Sequence, residues 1–325
     1  MRRREFIAFL GGAGASLAAP VMLTAQEPGR TYRVGFLLPV SRDAPAMAAF
    51  FDELRVHGFV EGQNVTIVPG GFQVRNDQIA ELVPALIKAA PDLIMSGGDP
   101  ATRALQQATR TIPIVVITED VVAAGFAASL ARPAGNITGI SLMSPELDGK
   151  RQDILIDAVP GAHRVAALAD SNVASLQHLE SLEDTTRRRG KELLVLRVSK
   201  REELVEAIND ASTRGGTALN VLASPMLFQN RRTIIEQVAQ LRLPAIYQWP
   251  ETAEEGGLLG YGPRFIEVFR QRGRMVARIL RGAQPADMPV EQPTTFELVI
   301  NLRTAKSIGY EIPAGLVLRA DKVIE

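Results

Sequence analysis

Short apolar runs that alternate with helical patterns are the feature that most restricts the fold of this chain. In the first series the apolar runs cover residues 33–38, 64–69, 92–96, 112–117 and 136–141. Helical spacing of apolar residues follows at 44–57, 76–89, just past Pro100, and 121–130. The runs are too apolar for a sheet with one face in water. Alternation of this kind predicts parallel strands with helices on both faces of the sheet.

The same alternation starts again after Ser141. Strands are predicted at 164–169, 192–198, 218–223, 244–249, 257–262 and 295–301, and helices at 144–159, 175–189, 200–212, 229–240 and 263–281. Two such series in 325 residues predict an α/β fold with two doubly wound parallel-sheet lobes joined by a hinge. The hydrophobic fraction of 46% is sufficient for two buried cores.

The N-terminal segment has the pattern of a targeting signal rather than of a folded element. Three arginines (Arg2, Arg3 and Arg4) precede an apolar stretch of small residues that ends near Leu23, with a cleavage point after Ala25. The stretch is short for a membrane span. We therefore predict an export signal over residues 1–25, with an uncleaved anchor as the alternative. Two arginines shortly before an apolar pair resemble the twin-arginine pattern.

Charge and cysteine content exclude several classes of protein. The chain has 36 basic and 36 acidic residues, so its formal net charge is zero and we expect no nucleic-acid partner. It has no cysteine, which excludes disulfides, thiolate metal sites and cysteine nucleophiles. For the same reason we expect no lipid anchor on an N-terminal cysteine, and a protein free in the periplasm.

Motifs for catalysis or for a cofactor are absent from the sequence. The three histidines (His57, His163 and His178) are scattered and lack metal-ligand spacing. Neither a nucleophile elbow nor a phosphate-binding loop occurs, and the turn at 37–45 lacks the glycines of a dinucleotide site. We therefore predict no catalytic residue, no metal and no cofactor.

The candidate site consists of the residues that follow the predicted strands. In open α/β sheets, ligands bind outside the carboxyl ends of the strands. The candidate ligand-binding residues there are Ser41, Arg42, Ser96, Gly97, Gly98, Asp99, Thr118, Glu119, Asp120, Asn172, Ser224, Trp249, Glu251 and Tyr261. Any single serine, aspartate or asparagine among them could instead cap a helix. Together with two adjacent glycines and an aromatic wall, they indicate a cleft for a small molecule.

Three carboxylates of the candidate site, Asp99, Glu119 and Asp120, lie in the first series of strands. Paired carboxylates can act as general acid and base. Without a nucleophile or metal ligand nearby, we favour recognition of a cationic or amine group on the ligand. An exported hydrolase or isomerase that uses Glu119 or Asp120 as its base is the less favoured alternative.

Three long segments resemble a known family. They are HGFVEGQNVTI (57–67), the stretch 91–141 with its IPIV strand and ASLARPAGNITGIS tail, and the stretch 257–313 with its YG, ILRG and VEQP motifs. They are similar to ABC-transporter substrate-binding proteins of the type-I periplasmic class, in the group that includes tryptophan- and tyrosine-type amino-acid binders. The resemblance covers nearly all of the chain beyond the signal, in the same order and spacing.

The resemblance implies a periplasmic receptor, and we expect it to be a monomer. It would capture an amino-acid-like or amine-bearing small molecule between two lobes and deliver it to an ABC permease in the inner membrane. The implied lobes are interleaved: residues 31–141 with 262–290, and residues 142–261 with 291–325. The chain departs from the family pattern at Asp99 and at Glu119-Asp120, where added negative charge favours an amine on the ligand. A binding protein that serves a sensor kinase or chemoreceptor is the alternative.

Overall fold

Two separate β-sheets contain the strands of this protein in the computed structural model, which describes residues 29–325. The export signal predicted for 1–25 lies outside the described residues. The strands of the first sheet are β1 (Tyr32–Leu37), β2 (Val65–Ile67), β3 (Leu93–Gly97), β4 (Ile114–Thr118) and β5 (Ile137–Ser141). Their order is β2-β1-β3-β4-β5, and every neighbouring pair is parallel.

The second sheet is larger and contains one reversal of direction. Its strands are β6 (Arg164–Asp170), β7 (Glu192–Val198), β8 (Ala218–Val221), β9 (Ala245–Tyr247), β10 (Leu259–Gly262), β11 (Glu297–Asn301) and β12 (Lys322–Ile324). Their order is β12-β11-β10-β9-β8-β6-β7, with β10 and β11 antiparallel and the other pairs parallel. The predicted α/β class with two parallel-sheet lobes is confirmed, apart from this one antiparallel pair.

Helices cover both faces of the sheets. They are α1 (Pro45–Val56), α2 (Ile79–Lys88), α3 (Asp99–Ala108), α4 (Ser144–Ala158), α5 (Leu176–Arg188), α6 (Leu204–Thr213), α7 (Pro225–Gln229), α8 (Arg231–Gln240), α9 (Pro250–Glu254), α10 (Phe265–Leu280), α11 (Leu302–Ser307) and α12 (Ala314–Val317). Within residues 29–325, no helix has the length and hydropathy needed to cross a bilayer.

Helix α10 packs against a different sheet from the one that contains the preceding strand. It follows β10 of the second sheet, yet its apolar face packs against α1 and the first sheet. Val268, Phe269, Met275 and Val276 on that face are buried in one core with Phe36 of β1. The chain therefore passes from the second sheet to the first between β10 and α10.

The chain passes between the two sheets three times. It leaves the first sheet after β5 and returns to that lobe between β10 and α10. It then runs beside β5, where Glu291 N donates to Gly139 O at 2.9 Å and Ser141 N donates to Glu291 O at 2.9 Å, before it enters β11. Three crossings between two sheets give the two lobes a multi-stranded connection.

The helix predicted at 121–130 is wrong, because this segment forms a series of turns. Asp120 Oδ1 accepts hydrogen bonds from the N–H groups of Val122 and Ala123, both at 3.0 Å. These bonds satisfy the donors of a first turn, but Gly125 then adopts a φ of +73°, which a continuing helix excludes. The apolar spacing that suggested a helix is instead that of side chains packed under a loop, among them the buried Val121 and Phe126.

Candidate functional site

The carboxyl ends of the two sheets face each other, and residues of both lobes touch there. Gln229 Nε2, at the end of α7 in the second lobe, donates to Pro39 O at 2.9 Å and to Val74 O at 3.0 Å in the first lobe. Gly98, just before α3, approaches Pro225 at the start of α7 so closely that an added Cβ would lie 2.3 Å from Pro225 Cγ. The lobes are therefore closed on one another.

Closure leaves an inner cavity of about 40 Å³ between the lobes. Aromatic rings of both lobes form one of its walls. Trp249 meets Phe265 edge to face at 4.6 Å between centroids, and Phe265 lies 4.9 Å from Phe228 and 4.8 Å from Phe269. Geometries of this kind are favourable for aromatic pairs and hold the rings in place. The wall is thus apolar and rigid.

Arg272 on α10 is the unusual residue of this cavity. Its side chain is completely buried and lines the cavity. Nη2 donates to Ser96 O at 2.7 Å and to Val115 O at 3.1 Å, whereas Nε and Nη1 have no hydrogen-bond partner. Among the described residues, no carboxylate lies within ion-pair distance of it. Burial lowers the pKa of Arg272 to about 9, so the group remains charged at neutral pH.

Sequence reasoning missed Arg272, although the sequence carries a signal for it. The residue sits at a buried position of α10, three residues after Phe269 and three before Met275, where the 3.6-residue period places apolar side chains. A charged residue on the apolar face of an amphipathic helix is an exception that deserves a functional explanation. The surrounding run of exposed arginines conceals the exception in the sequence.

Glu119 follows β4 and lines both the inner cavity and a second, outer cavity. Its Oε2 accepts a hydrogen bond from the hydroxyl of Ser144 and a long one, 3.4 Å, from Gln248 Nε2 of the second lobe. The pKa of Glu119 is raised to about 8, chiefly by burial; the hydrogen bond from Ser144 and the charge of Arg151 oppose the shift, and the carboxylates of Asp99 and Asp148 add to it. Glu119 is therefore largely protonated at neutral pH in the closed protein without ligand.

The outer cavity has a volume of about 530 Å³ and a polar lining from both lobes. The first lobe contributes Asp99, Arg103 and Asp120, and the second lobe contributes Asn172 and His178. Burial raises the pKa of Asp99 to about 6, against the effect of Arg103, and Oδ1 of Asp99 has no hydrogen-bond partner within residues 29–325. This cavity offers a ligand acidic groups on one side and a histidine on the other.

A buried ionic cluster fixes the side of the outer cavity that the second lobe forms. His178 Nε2 lies 3.1 Å from Asp148 Oδ2, and Arg151 Nε donates to Asp148 Oδ1 at 2.9 Å. Arg151 Nη1 also donates to Tyr261 O at 3.0 Å, which ties α4 to β10. Burial by itself would raise the pKa of Asp148, but the charge of Arg151 and the bond with His178 hold it below its ordinary value. The cluster thus stabilises one charged carboxylate beneath the cavity.

The predicted site residues divide into three groups. Those that line the inner cavity are Gly97, Gly98, Glu119, Ser224 and Trp249. Those that line the outer cavity are Asp99, Glu119, Asp120 and Asn172. Those that line neither cavity are Ser41, Arg42, Ser96, Thr118, Glu251 and Tyr261. Ligand contact by any of them stays a prediction.

The residues outside the cavities have structural partners of their own. Arg42 pairs with Glu61 and lies 4.5 Å from the centre of the Phe51 ring. Glu251 Oε1 accepts from the backbone N–H of Phe265 at 3.0 Å. The ring of Tyr261 stacks on Phe296 at 6.3 Å.

Ser96 and Thr118 are buried in the first lobe, and Ser224 serves as a cap in the second. Ser96 Oγ is hydrogen-bonded to the hydroxyl of Thr102 at 2.9 Å, whereas Thr118 Oγ1 has no partner. Ser224 Oγ accepts from the backbone N–H of Met226 at 3.1 Å and donates to Asp170 Oδ2 at 2.6 Å. Ser224 therefore fulfils the helix-capping alternative while it also lines the inner cavity.

The fold and the site together define a class of protein. Two α/β lobes that close over a cavity at the carboxyl ends of their strands form a type I periplasmic binding protein. Nowhere in residues 29–325 do three or more histidine or acidic side chains form a group that could hold a metal ion.

Residues 34–324 match the family described as ABC transporter substrate binding protein, so the chain belongs to that family. The predicted resemblance is thereby confirmed. The family is one of binding proteins, and membership implies a small-molecule ligand and an ABC transporter as partner. The predicted function, capture of a solute for import, agrees with membership of this family.

The individual relatives have low sequence identity to this chain. The chain is 25% identical over 270 residues to the tyrosine-binding protein of Clostridioides difficile (strain R20291), which covers 82% of this chain and 77% of that one. Among solved structures, a conserved domain protein of Vibrio cholerae has a TM-score of 0.82 at 23% identity and covers 90% of this chain and 100% of that one. A domain from Streptococcus pneumonia in complex with L-Trp has a TM-score of 0.79 at 23% identity, with the same coverage.

Proposed function

We propose that this protein captures an amino-acid-like or amine-bearing solute between its two lobes in the periplasm and passes it to an ABC importer. The observation that carries the proposal is the cavity enclosed between the lobes, which places Glu119 and Arg272 in one small space. The names of two relatives, a tyrosine-binding protein and a domain in complex with L-Trp, support an amino-acid-like ligand. Export by a twin-arginine-like signal, a form without lipid anchor and a monomeric state belong to the same proposal.

We assign residues 31–141 and 262–290 to the first lobe and residues 142–261 and 291–325 to the second. The packing of α10 against α1 supports this assignment. Transport requires that the ligand favour the closed arrangement, because a ligand that binds both arrangements equally shifts no population. The lobe contacts made by Gln229 and Gly98 belong to that closed arrangement.

A thermal-shift screen tests the proposed function directly. The panel contains amino acids, polyamines, nucleosides and aromatic acids, applied to protein that has been unfolded and refolded to remove bound ligand. A ligand at 100 times its Kd stabilises the fold by about 2.7 kcal/mol. Stoichiometric binding without a product supports a receptor, whereas turnover that Glu119→Gln abolishes would support an enzyme instead.

Gly98→Ala is expected to weaken the binding of any ligand that depends on closure. The Kd should rise about tenfold or more, which corresponds to at least about 1.4 kcal/mol of binding free energy. The new Cβ would lie 2.3 Å from Pro225 Cγ, on a rigid ring of the other lobe, so the lobes cannot approach as closely. Isothermal titration gives the Kd, and small-angle scattering at saturating ligand shows whether the variant becomes as compact as the wild type.

Gly58→Ala is the matched control for this variant. Gly58 has a φ of +83°, close to the +85° of Gly98, so alanine is unfavourable at both sites, and the ψ of 165° at Gly98 adds strain there, which the melting temperature of each variant measures. Nothing lies within 4 Å of a Cβ at Gly58. The control should therefore bind ligand as the wild type does. Equal affinity and equal compaction in the two variants would contradict ligand capture by closure at this contact.

A further inference from the structure

Among the residues that the structure describes, the buried guanidinium of Arg272 has no counter-charge. In the closed protein its side chain has no exposed surface, and only Nη2 has acceptors, the carbonyl oxygens of Ser96 and Val115. Nε and Nη1 are unsatisfied. Buried charges in proteins are normally paired, since an unpaired one is strongly unfavourable. A permanent partner is missing within residues 29–325, which leaves a partner that arrives from outside.

Position and chemistry identify that partner. Arg272 is one of the residues that line the inner cavity, so its side chain lies beside the space that closure leaves between the lobes. A guanidinium is planar and matches the two oxygens of a carboxylate, and charge-assisted bonds of this kind are roughly twice as strong as neutral ones. The ring of Phe269 at 5.1 Å supports one face of the group and holds it in orientation.

The two cavities suggest the direction in which a ligand lies. The inner cavity has about 40 Å³, well below the roughly 150 Å³ of an engineered cavity that takes benzene. It accommodates a carboxylate with a short apolar stem. The outer cavity, with about 530 Å³, has room for the rest, and Glu119 lines both cavities.

We propose that the ligand is an organic carboxylate that enters carboxylate first, with its carboxylate on Arg272 and the remainder directed past Glu119 into the outer cavity. This inference rests on the proposed function and makes it narrower. The carboxylate is the obligatory group, and an amine beside Glu119 and Asp99 adds affinity without being required. Arg272 is thus the residue that selects for the charge of the ligand.

The test uses probes in matched sets with refolded wild-type protein. The sets are L-tyrosine, L-tyrosinamide and tyramine; L-tryptophan, L-tryptophanamide and tryptamine; and 3-phenylpropionate with its amide, and propionate with propionamide. We expect thermal stabilisation by one or more of the carboxylates and none by the corresponding amide or amine. An amide or amine that binds as well as its acid overturns the inference.

Substitution of Arg272 supplies the second arm. For the carboxylate that binds best, Arg272→Gln should raise the Kd at least 100-fold. Arg272→Lys should raise it less, because lysine keeps the positive charge and loses only the two-pronged geometry of the guanidinium. Arg278→Gln is the control on the same helix, since this arginine is half exposed and lies 4.0 Å from Glu291. Its Kd should equal that of the wild type. Circular dichroism and the melting temperature establish that each variant is folded.

The outcomes separate the two hypotheses. A Kd for Arg272→Gln within threefold of the wild type overturns the role of Arg272. Failure of every carboxylate to stabilise the wild type also overturns the inference. Binding of a neutral or cationic compound from the wider screen would then leave the proposed receptor function standing, whereas binding of no compound at all would contradict both.

Discussion

Arg272→Met is expected to increase the free energy of unfolding of the ligand-free protein by about 1 to 4 kcal/mol, the range of stabilisation found when a buried ion pair is replaced by apolar residues. Most substitutions in a core destabilise, so the predicted sign is unusual. It follows from the burial of a charge that no carboxylate offsets among the described residues. This range is a net effect, so it already includes the hydrogen bonds lost on substitution, here those to Ser96 O and Val115 O.

Arg151→Met is the control with the opposite sign. Arg151 is also completely buried, but it is paired with Asp148 and bonded to Tyr261 O. Its removal leaves the carboxylate of Asp148 with His178 alone, and breaking a buried pair costs about 3 to 5 kcal/mol. Urea unfolding of refolded, ligand-free protein measures both variants. A loss of stability in Arg272→Met comparable to that in Arg151→Met would show that Arg272 is a structural residue.

Glu119→Gln is expected to flatten the dependence of stability on pH between about pH 5 and 8. In the folded protein the pKa of Glu119 is raised from 4.5 to about 8, chiefly by burial. Between these values the unfolded chain loses the proton that the folded protein keeps, so the wild type loses stability as the pH rises. The stabilisation that protonated Glu119 contributes is complete below its ordinary pKa and is lost above about pH 8. It amounts to a few kcal/mol, on the order of 1.4 kcal/mol per pH unit.

Two further variants isolate this effect. Asp99→Asn should flatten the dependence of stability on pH over a lower range, up to about pH 6. The reason is that burial also raises the pKa of Asp99. In Glu254→Gln the slope above pH 5 should be unchanged, since Glu254 is paired with Arg264 and Lys322, and these pairs hold its pKa below the ordinary value despite partial burial. Melting temperatures across the pH range provide the comparison. An unchanged slope in Glu119→Gln would place the responsible group elsewhere.

The alternation of strands and helices was predictable because fully buried strands leave nearly continuous apolar runs, as in β4. Strand direction was not, since the apolar run of β11 is the same whether it pairs parallel or antiparallel with β10. The segment at 121–130 was misread because an aspartate turn and Gly125 outweigh the apolar spacing.

The candidate site was only partly accessible from the sequence. Residues directly after strands, such as Gly98 and Glu119, could be placed at the cleft from topology alone. Arg42 follows β1 in the same way, but its side chain forms an ion pair with Glu61 and lines neither cavity. Arg272 comes from a helix that returns to the first lobe from the second, and the lack of a partner is a property of three-dimensional packing. Such a residue becomes visible only when every neighbour of a buried charge is known.

The aromatic wall of the inner cavity has a spectroscopic consequence. The chain contains a single tryptophan, Trp249, and its indole is buried in that wall between Phe228 and Phe265. Fluorescence excited at the indole band therefore originates from the wall of the inner cavity alone. Parting of the lobes admits water to the ring and shifts the emission to longer wavelength, so the protein carries its own optical reporter of opening and closing.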